Sequence, residues 1–204
     1  MAKLYFRYGA MNSGKTTQLL QTAYNYEERG MKAVIIKPAI DTKASTRVSS
    51  RIGVEREVDH LIGQKEDLFQ IVMDNYADSD CILVDEAQFL TRDQADDCMK
   101  VAVGLDIPVI CYGLRTDFLK NGFPGSTRLL EIAHSIEEMK TICKCGKKAI
   151  YNARFVNGDF TTEGEQVAID LVGDITYESM CAKCYEEQKK LALILKNKKK
   201  NTKN

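Results

Sequence analysis

Gly9-Ala10-Met11-Asn12-Ser13-Gly14-Lys15-Thr16 follows the short apolar and aromatic run Leu4-Tyr5-Phe6-Arg7-Tyr8 and precedes a helix-like segment over residues 17–29, closed by Gly30. Gly-x4-Gly-Lys-Thr between a strand and a helix is a phosphate-binding loop, or P-loop. Its two glycines let backbone N–H groups turn inward around phosphate oxygens, Lys15 reaches the β and γ phosphates, and the Thr16 hydroxyl ligates magnesium. At average residue usage the pattern arises by chance in roughly one chain in a hundred of this length, and the flanking strand and helix lower those odds. Gly9, Ala10, Met11, Asn12, Ser13, Gly14, Lys15, Thr16 and Thr17 are therefore the expected ATP and Mg2+ residues.

Outward from this loop, residues 33–36 (AVII), 81–84 (CILV) and 108–112 (PVICY) are continuous apolar runs without alternation, as expected of strands covered on both faces of a parallel sheet. Helical spacing separates them. Leu68, Ile71, Val72 and Asn75 recur over 66–76, and Thr91-Arg92-Asp93-Gln94 offers a capping box before 95–103. The alternation predicts an α/β domain, with ligands at the carboxyl ends of its strands.

At the end of CILV stands Asp85-Glu86-Ala87-Gln88-Phe89. A P-loop sheet places a magnesium-binding carboxylate there, which makes Asp85 the candidate. Glu86, next in line, can face the space beyond the γ-phosphate and take a proton from an attacking hydroxyl or water. Asp-Glu-Ala-Gln also resembles the ATPase motif of helicases, in which the glutamate orients water. A helicase of that kind needs two such lobes and a basic strand-binding track; 204 residues, with 29 Lys and Arg against 29 Asp and Glu, provide neither. Neither nucleic acid nor a membrane is an expected partner. No apolar run reaches membrane-spanning length, and the amino terminus lacks a secretory signal pattern, so an intracellular setting is expected.

Composition shifts near residue 140. Residues 1–140 read as the nucleotide-binding domain, 141–192 as a smaller zinc-binding unit and 193–204 as a flexible basic tail. Cys143-Lys144-Cys145 and Cys181-Ala182-Lys183-Cys184 supply four thiolates, the ligand set of a closed structural zinc site. The second pair has ordinary Cys-x-x-Cys spacing but the first is one residue short, leaving two outcomes: four-thiolate coordination, or strained geometry with a ligand missing. The 35 residues between the pairs exceed the roughly 15 to 20 of an ordinary zinc ribbon, so zinc would staple the base of a long loop. Asp159, Glu163, Glu165, Asp170 and Asp174 in that interval disfavour a phosphate-binding role. Cys81, Cys98 and Cys111 read as small core residues, and His60 and His134 lie in no motif.

Taken in order, the P-loop, Asp-Glu-Ala-Gln-Phe, Tyr112-Gly113-Leu114-Arg115-Thr116-Asp117-Phe118 and the two cysteine pairs resemble the cytosolic, zinc-containing class of thymidine kinases, over about residues 5–185. The resemblance implies a RecA-like P-loop fold, a mostly parallel sheet flanked by helices, with a small C-terminal zinc-binding lasso domain. It implies transfer of the ATP γ-phosphate to the 5′-hydroxyl of thymidine, and of deoxyuridine, for nucleotide salvage in the cytoplasm. Glu86 would be the general base, and Lys15, magnesium and Arg154 would hold the metaphosphate-like charge.

Met11, Gln88, Phe89, Leu114, Phe118 and Phe123 match positions that line the nucleoside pocket, as flat apolar walls suit a pyrimidine ring. Asp41 matches a residue near the magnesium and phosphates, with Lys43 where an arginine is usual, which keeps the charge but loses the planar fork. The lasso would close on thymidine through backbone hydrogen bonds, with Asn152, Val172 and Tyr177 as expected contacts. A homotetramer and feedback inhibition by thymidine triphosphate (dTTP) are further implications of the resemblance.

Overall fold

A computed structural model describes residues 1–39, 46–166 and 174–201. Asp41, Lys43 and Val172 lie outside the described residues. The chain forms two compact units. The first joins Met1–Gly9, Gly14–Arg115 and Gly122–Met139; the second joins Ala10–Ser13, Thr116–Asn121 and the residues from 140 onward.

In the first unit the elements run β1 (Leu4–Tyr8), α1 (Lys15–Glu27), β2 (Ala33–Pro38), β3 (Arg47–Ser49), β4 (Glu55–Glu57), β5 (His60–Ile62), α2 (Leu68–Asn75), β6 (Cys81–Val84), α3 (Arg92–Gly104), β7 (Val109–Gly113), α4 (Pro124–Ile132) and β8 (Ser135–Glu138). Six strands make one sheet in the order β5-β2-β6-β7-β1-β8, paired in parallel throughout, and β3 and β4 form a separate antiparallel hairpin.

Both faces of the central strands are covered, which is why their sequences do not alternate. Val34, Ile36, Ile82, Val84, Val109 and Cys111 cluster with Leu68 and Val72 of α2, Ala95, Cys98, Val101 and Ala102 of α3, and Leu129 of α4. The intervening Ala33, Ile35, Cys81, Leu83, Ile110 and Tyr112 cluster with Leu19, Leu20 and Ala23 of α1. Removing a fully buried Leu or Ile side chain from water contributes roughly 1.5–3 kcal/mol, so these two layers supply the main stabilising term. Local signals agree with them. The Thr91 hydroxyl accepts Gln94 N–H while the Gln94 side chain accepts Thr91 N–H, completing the expected capping box, and the Asp67 carboxylate caps α2.

Strand β8, Ser135-Ile136-Glu137-Glu138, has no apolar run to mark it in the sequence. Its side chains are mostly exposed and acidic, as suits an edge strand shielded from further pairing by charge. Its place comes from pairing with β1 and from a 3.1 Å ion pair between Arg7 and Glu137.

The second unit contains β9 (Thr141–Ile142), β10 (Lys148–Ala149), β11 (Tyr151–Val156), β12 (Asp159–Thr161), β13 (Ile175–Met180) and α5 (Ala182–Asn201). Strand β11 lies between β12 and β13, antiparallel to both, and β9 pairs with β10. The small core gathers Cys143, Ala149, Ala153, Met180, Cys181 and Tyr185. The Tyr185 ring meets Tyr151 and Phe160 edge-on, at 5.5 and 5.4 Å, and its hydroxyl donates to Phe118 O at 2.5 Å. Helix α5 runs on through the described part of the stretch read from sequence as a basic tail.

Candidate active site

In the first unit the polar groups collect at the carboxyl ends of parallel strands. Gly9 N–H donates to Gly113 O at 3.2 Å, joining the ends of β1 and β7, and Asp85 N–H donates to Ile36 O at 3.0 Å, joining β6 to β2. Gly14 caps α1 at φ 80°, a left-handed conformation open to glycine at no steric cost, and Asn12 in the loop takes φ 64°. Such backbone turns N–H groups into a concave anion cradle at a helix N-terminus, where the helix dipole also favours phosphate.

Lys15 reaches back to Gly9 O at 3.4 Å. Burial lowers its ammonium pKa, while the Glu86 and Asp85 carboxylates oppose that shift. Asp85 is 5% exposed. Burial, and then the neighbouring Glu86 charge, push its carboxyl up to about 7. A buried acid beside a second carboxylate is stabilised in its charged form by a cation, and carboxylate oxygens are the hard donors that suit Mg2+.

Glu86 occupies φ 50°, ψ 39° at the start of the helical turn Ala87–Phe89. A left-handed conformation in a non-glycine residue costs about 1–3 kcal/mol and persists where neighbours hold it. Gln88 Nε2 donates to Glu86 Oε2 at 2.5 Å, and Leu114 N–H donates to Gln88 Oε1 at 2.9 Å. Phe89 and Phe123 meet edge to face at 5.6 Å, and the Ser126 hydroxyl donates to Leu114 O at 2.5 Å. The structure thus brings Lys15, Asp85 and Glu86 together, with Gln88 between Glu86 and the Leu114 backbone.

In the second unit the P-loop tip is fastened by side chains from later in the chain. Asn152 Oδ1 accepts Met11 N–H at 2.8 Å, the Ser179 hydroxyl donates to Met11 O, and the Thr141 hydroxyl donates to Asn12 O at 3.2 Å. Asn152 is 4% exposed and also donates to Thr116 O at 3.4 Å. Ser179 and Thr141 were not among the residues singled out from sequence; an isolated hydroxyl on a strand has no motif to reveal it.

Arg154 is fully buried. Its Nε donates to the Tyr177 hydroxyl at 2.9 Å, and its two terminal nitrogens donate to Glu165 O at 2.8 Å and Gln166 O at 3.1 Å. The guanidinium centre lies 3.6 Å over the Phe118 ring and 5.4 Å from the Tyr177 ring. Loop carbonyls and aromatic faces therefore compensate a charge that would otherwise be costly to bury.

Cys143, Cys145, Cys181 and Cys184 place their sulfurs within 4.8 Å of one another. Tetrahedral zinc with Zn–S of about 2.3 Å needs sulfurs about 3.8 Å apart, so small adjustments suffice. The short first pair is accommodated by a turn: Gly146 takes φ 82°, its N–H donates to Cys143 O at 2.8 Å, and Cys143 N–H donates to Lys147 O at 2.8 Å. In the second pair Cys184 N–H points at Cys181 Sγ from 3.5 Å. Hydrogen bonds with Cys145, Cys181 and Cys143 push the Cys184 thiol up to about 12. Hydrogen bonds within the same cluster instead pull the Cys143 and Cys181 thiols down, and a set of four thiolates can hold zinc.

Known proteins resemble the chain along most of its length. The thymidine kinase family matches residues 2–185. The thymidine kinase of Vibrio cholerae is 47% identical over 191 residues, covering 92% of this chain and 98% of that one. That of Francisella tularensis is 43% identical over 195 residues, covering 92% and 98%. That of Legionella pneumophila is 44% identical over 206 residues, covering 97% and 96%. Among solved structures, Bacteroides Pif1 bound to single-stranded DNA matches at a TM-score of 0.36 and 14% identity, over 67% of this chain and 38% of that one, which carries no argument. With a family match spanning residues 2–185 and relatives this similar along almost their whole length, the chain belongs to the thymidine kinase family.

Proposed function

We propose that this thymidine kinase transfers the γ-phosphate of ATP to the 5′-hydroxyl of thymidine, and of deoxyuridine, with Glu86 as general base. Family membership supports the thymidine acceptor and the use of ATP. The observation that carries the residue roles is the group formed by Lys15, Asp85 and Glu86 in one electrostatic field, with Glu86 held by Gln88.

In this reading the backbone of Gly9 to Thr16, with Thr17, binds the donor phosphates, and Lys15 lies against the β and γ oxygens. Glu86 accepts the proton of the 5′-hydroxyl as its oxygen attacks phosphorus and the bond to the β-phosphate oxygen breaks, leaving ADP. Mg2+, assigned to Thr16, Asp85 and Asp41, would supply charge neutralisation at the transferring phosphate. Arg154 is assigned to the charge of the transferring phosphoryl group, for which its guanidinium would have to leave the Tyr177 hydroxyl or the Glu165 and Gln166 carbonyls. Phe89, Leu114 and Phe123, with Gln88 beside them, and Met11, Phe118, Asn152, Val172 and Tyr177 are assigned to the acceptor. Zinc on Cys143, Cys145, Cys181 and Cys184 would be structural.

Residues 1–140 are assigned to donor handling, 141–192 to acceptor closure and 193–204 to a basic tail. A homotetramer inhibited by thymidine triphosphate in the cytoplasm completes the proposal; among the described residues no helix is long and apolar enough to cross a membrane. The deciding experiment incubates the protein with ATP, Mg2+ and a nucleoside panel and reads monophosphate formed. Thymidine and deoxyuridine should be consumed. ATP turnover independent of nucleoside, or driven by single-stranded DNA, would refute the proposal.

A further inference from the structure

Gln88 is enclosed by contacts that fix which end of its amide faces Glu86. It lies in the helical turn Ala87–Phe89 and is 1% exposed. A backbone N–H can only donate, so the side-chain oxygen has to face Leu114 N, 2.9 Å away, and the NH2 group is left for Glu86 Oε2 at 2.5 Å. The backbone packs closely around the turn. A Cβ on Gly113 would stand 2.9 Å from Gln88 Oε1 and 3.0 Å from its backbone nitrogen. A Cβ on Gly125 would likewise stand 2.6 Å from Ala87 O and 2.7 Å from Leu90 O. Two glycines therefore let β7 and α4 close on the turn and clamp it.

We infer that Gln88 is a positioning residue for the reaction: it hangs the Glu86 carboxylate from the Leu114 backbone at the end of β7, and its amide is not a hydrogen-bonding partner of the nucleoside base. The inference rests on the reading of Glu86 as general base. One oxygen of Glu86 is engaged by Gln88 and the other is left for the acceptor proton. Because Leu114 is also assigned to the nucleoside, the same chain of hydrogen bonds sets the acceptor wall and the base in one register. A base must stand within hydrogen-bond reach of its proton, and small errors of aim are costly in rate.

The test is a set of four variants, with kcat and both KM values measured on the full chain. Gln88→Met removes the whole amide. Gln88→Glu, assayed at a pH alkaline enough to ionise it, keeps an oxygen for Leu114 N–H but sets a like charge against Glu86. Both should lower kcat about ten- to a hundredfold with KM for ATP and for thymidine within about threefold of the parent, the loss expected of a misaimed group. Adding Gln88→Met to Glu86→Gln should change kcat by less than about twofold, since a residue acting through Glu86 has nothing further to lose.

A Gln88→Glu enzyme with parental kcat would overturn the inference and leave Gln88 as support for Leu114 alone. So would a raised thymidine KM with kcat retained, or an undiminished further loss in the Glu86→Gln background. Parental turnover in Glu86→Gln itself would remove the base, and the role of Gln88 with it. If Gln88→Met fails to fold, Gln88→Glu, which preserves the Leu114 hydrogen bond, carries the test alone.

Discussion

Asn152 Oδ1 accepts the Met11 backbone N–H at 2.8 Å, so a side chain of β11 holds the tip of the P-loop. Asn152→Ala leaves that N–H without its partner, and an unsatisfied buried donor costs about 1–3 kcal/mol. Urea unfolding should show a loss of that size. Steady-state kinetics should show KM rising for ATP, through the loosened P-loop tip, and for thymidine, the acceptor to which Asn152 is assigned; an unchanged KM for ATP would leave the Met11 contact without effect on the donor.

Glu86→Gln keeps the shape of the turn and removes the proton acceptor. The chemical rate should fall by about 10² to 10⁴, the ordinary contribution of a general base, with ATP binding within a few-fold of the parent. Single-turnover phosphoryl transfer and nucleotide titration separate the two. Near-parental transfer would take Glu86 out of that role.

Asp85 gives the metal-free protein a pH dependence. Burial first, and the Glu86 charge second, raise its carboxyl from the ordinary 3.8 to about 7. A raised carboxyl holds its proton more tightly folded than unfolded, so its contribution to stability is fully present below about pH 4 and is lost as pH rises through about 7. Asp85→Asn should flatten this part of the Tm-against-pH curve and raise Tm at neutral pH, even as it impairs activity. An unchanged slope would show that the carboxyl titrates normally.

Zinc removal should be felt beyond the cysteines. Thr141 and Ser179, which hold the backbone of Asn12 and Met11, each lie two residues before a cysteine of the set, Cys143 and Cys181. Cys184→Ser should lower bound zinc below one per chain, lower Tm and raise KM for both substrates. Metal analysis beside kinetics checks this; full zinc content, or zinc loss with both KM values unchanged, would contradict it.

The extent to which the molecule could be read from its sequence follows burial. The run Cys81–Val84 appears in the structure with the bounds read from sequence, because a strand covered on both faces must be apolar throughout. The Thr91–Gln94 cap was legible because its two residue types and their spacing are the mechanism. Strand β8 was not, since its Ile136 sits among exposed polar neighbours and its position depends on β1, over a hundred residues earlier. Cys143-Lys144-Cys145 was ambiguous because spacing alone does not show how Gly146 turns the chain. Arg154 shows the limit for the site: a motif position gives the residue, but its burial over Phe118 and its bonds to Glu165 and Gln166 arise from tertiary contacts.

The fastening of the P-loop tip also sets an order of events during synthesis. Met11 leaves the ribosome early, but Asn152 follows 141 residues later and Ser179 follows 168 later. At roughly 5–20 residues per second that interval is about 7 to 34 seconds. Throughout it the loop has its glycines and its lysine but not the side chains that shape its tip. A nascent chain, or one cut short before β13, therefore carries the whole P-loop motif without the Ser179 hydroxyl that holds the Met11 backbone.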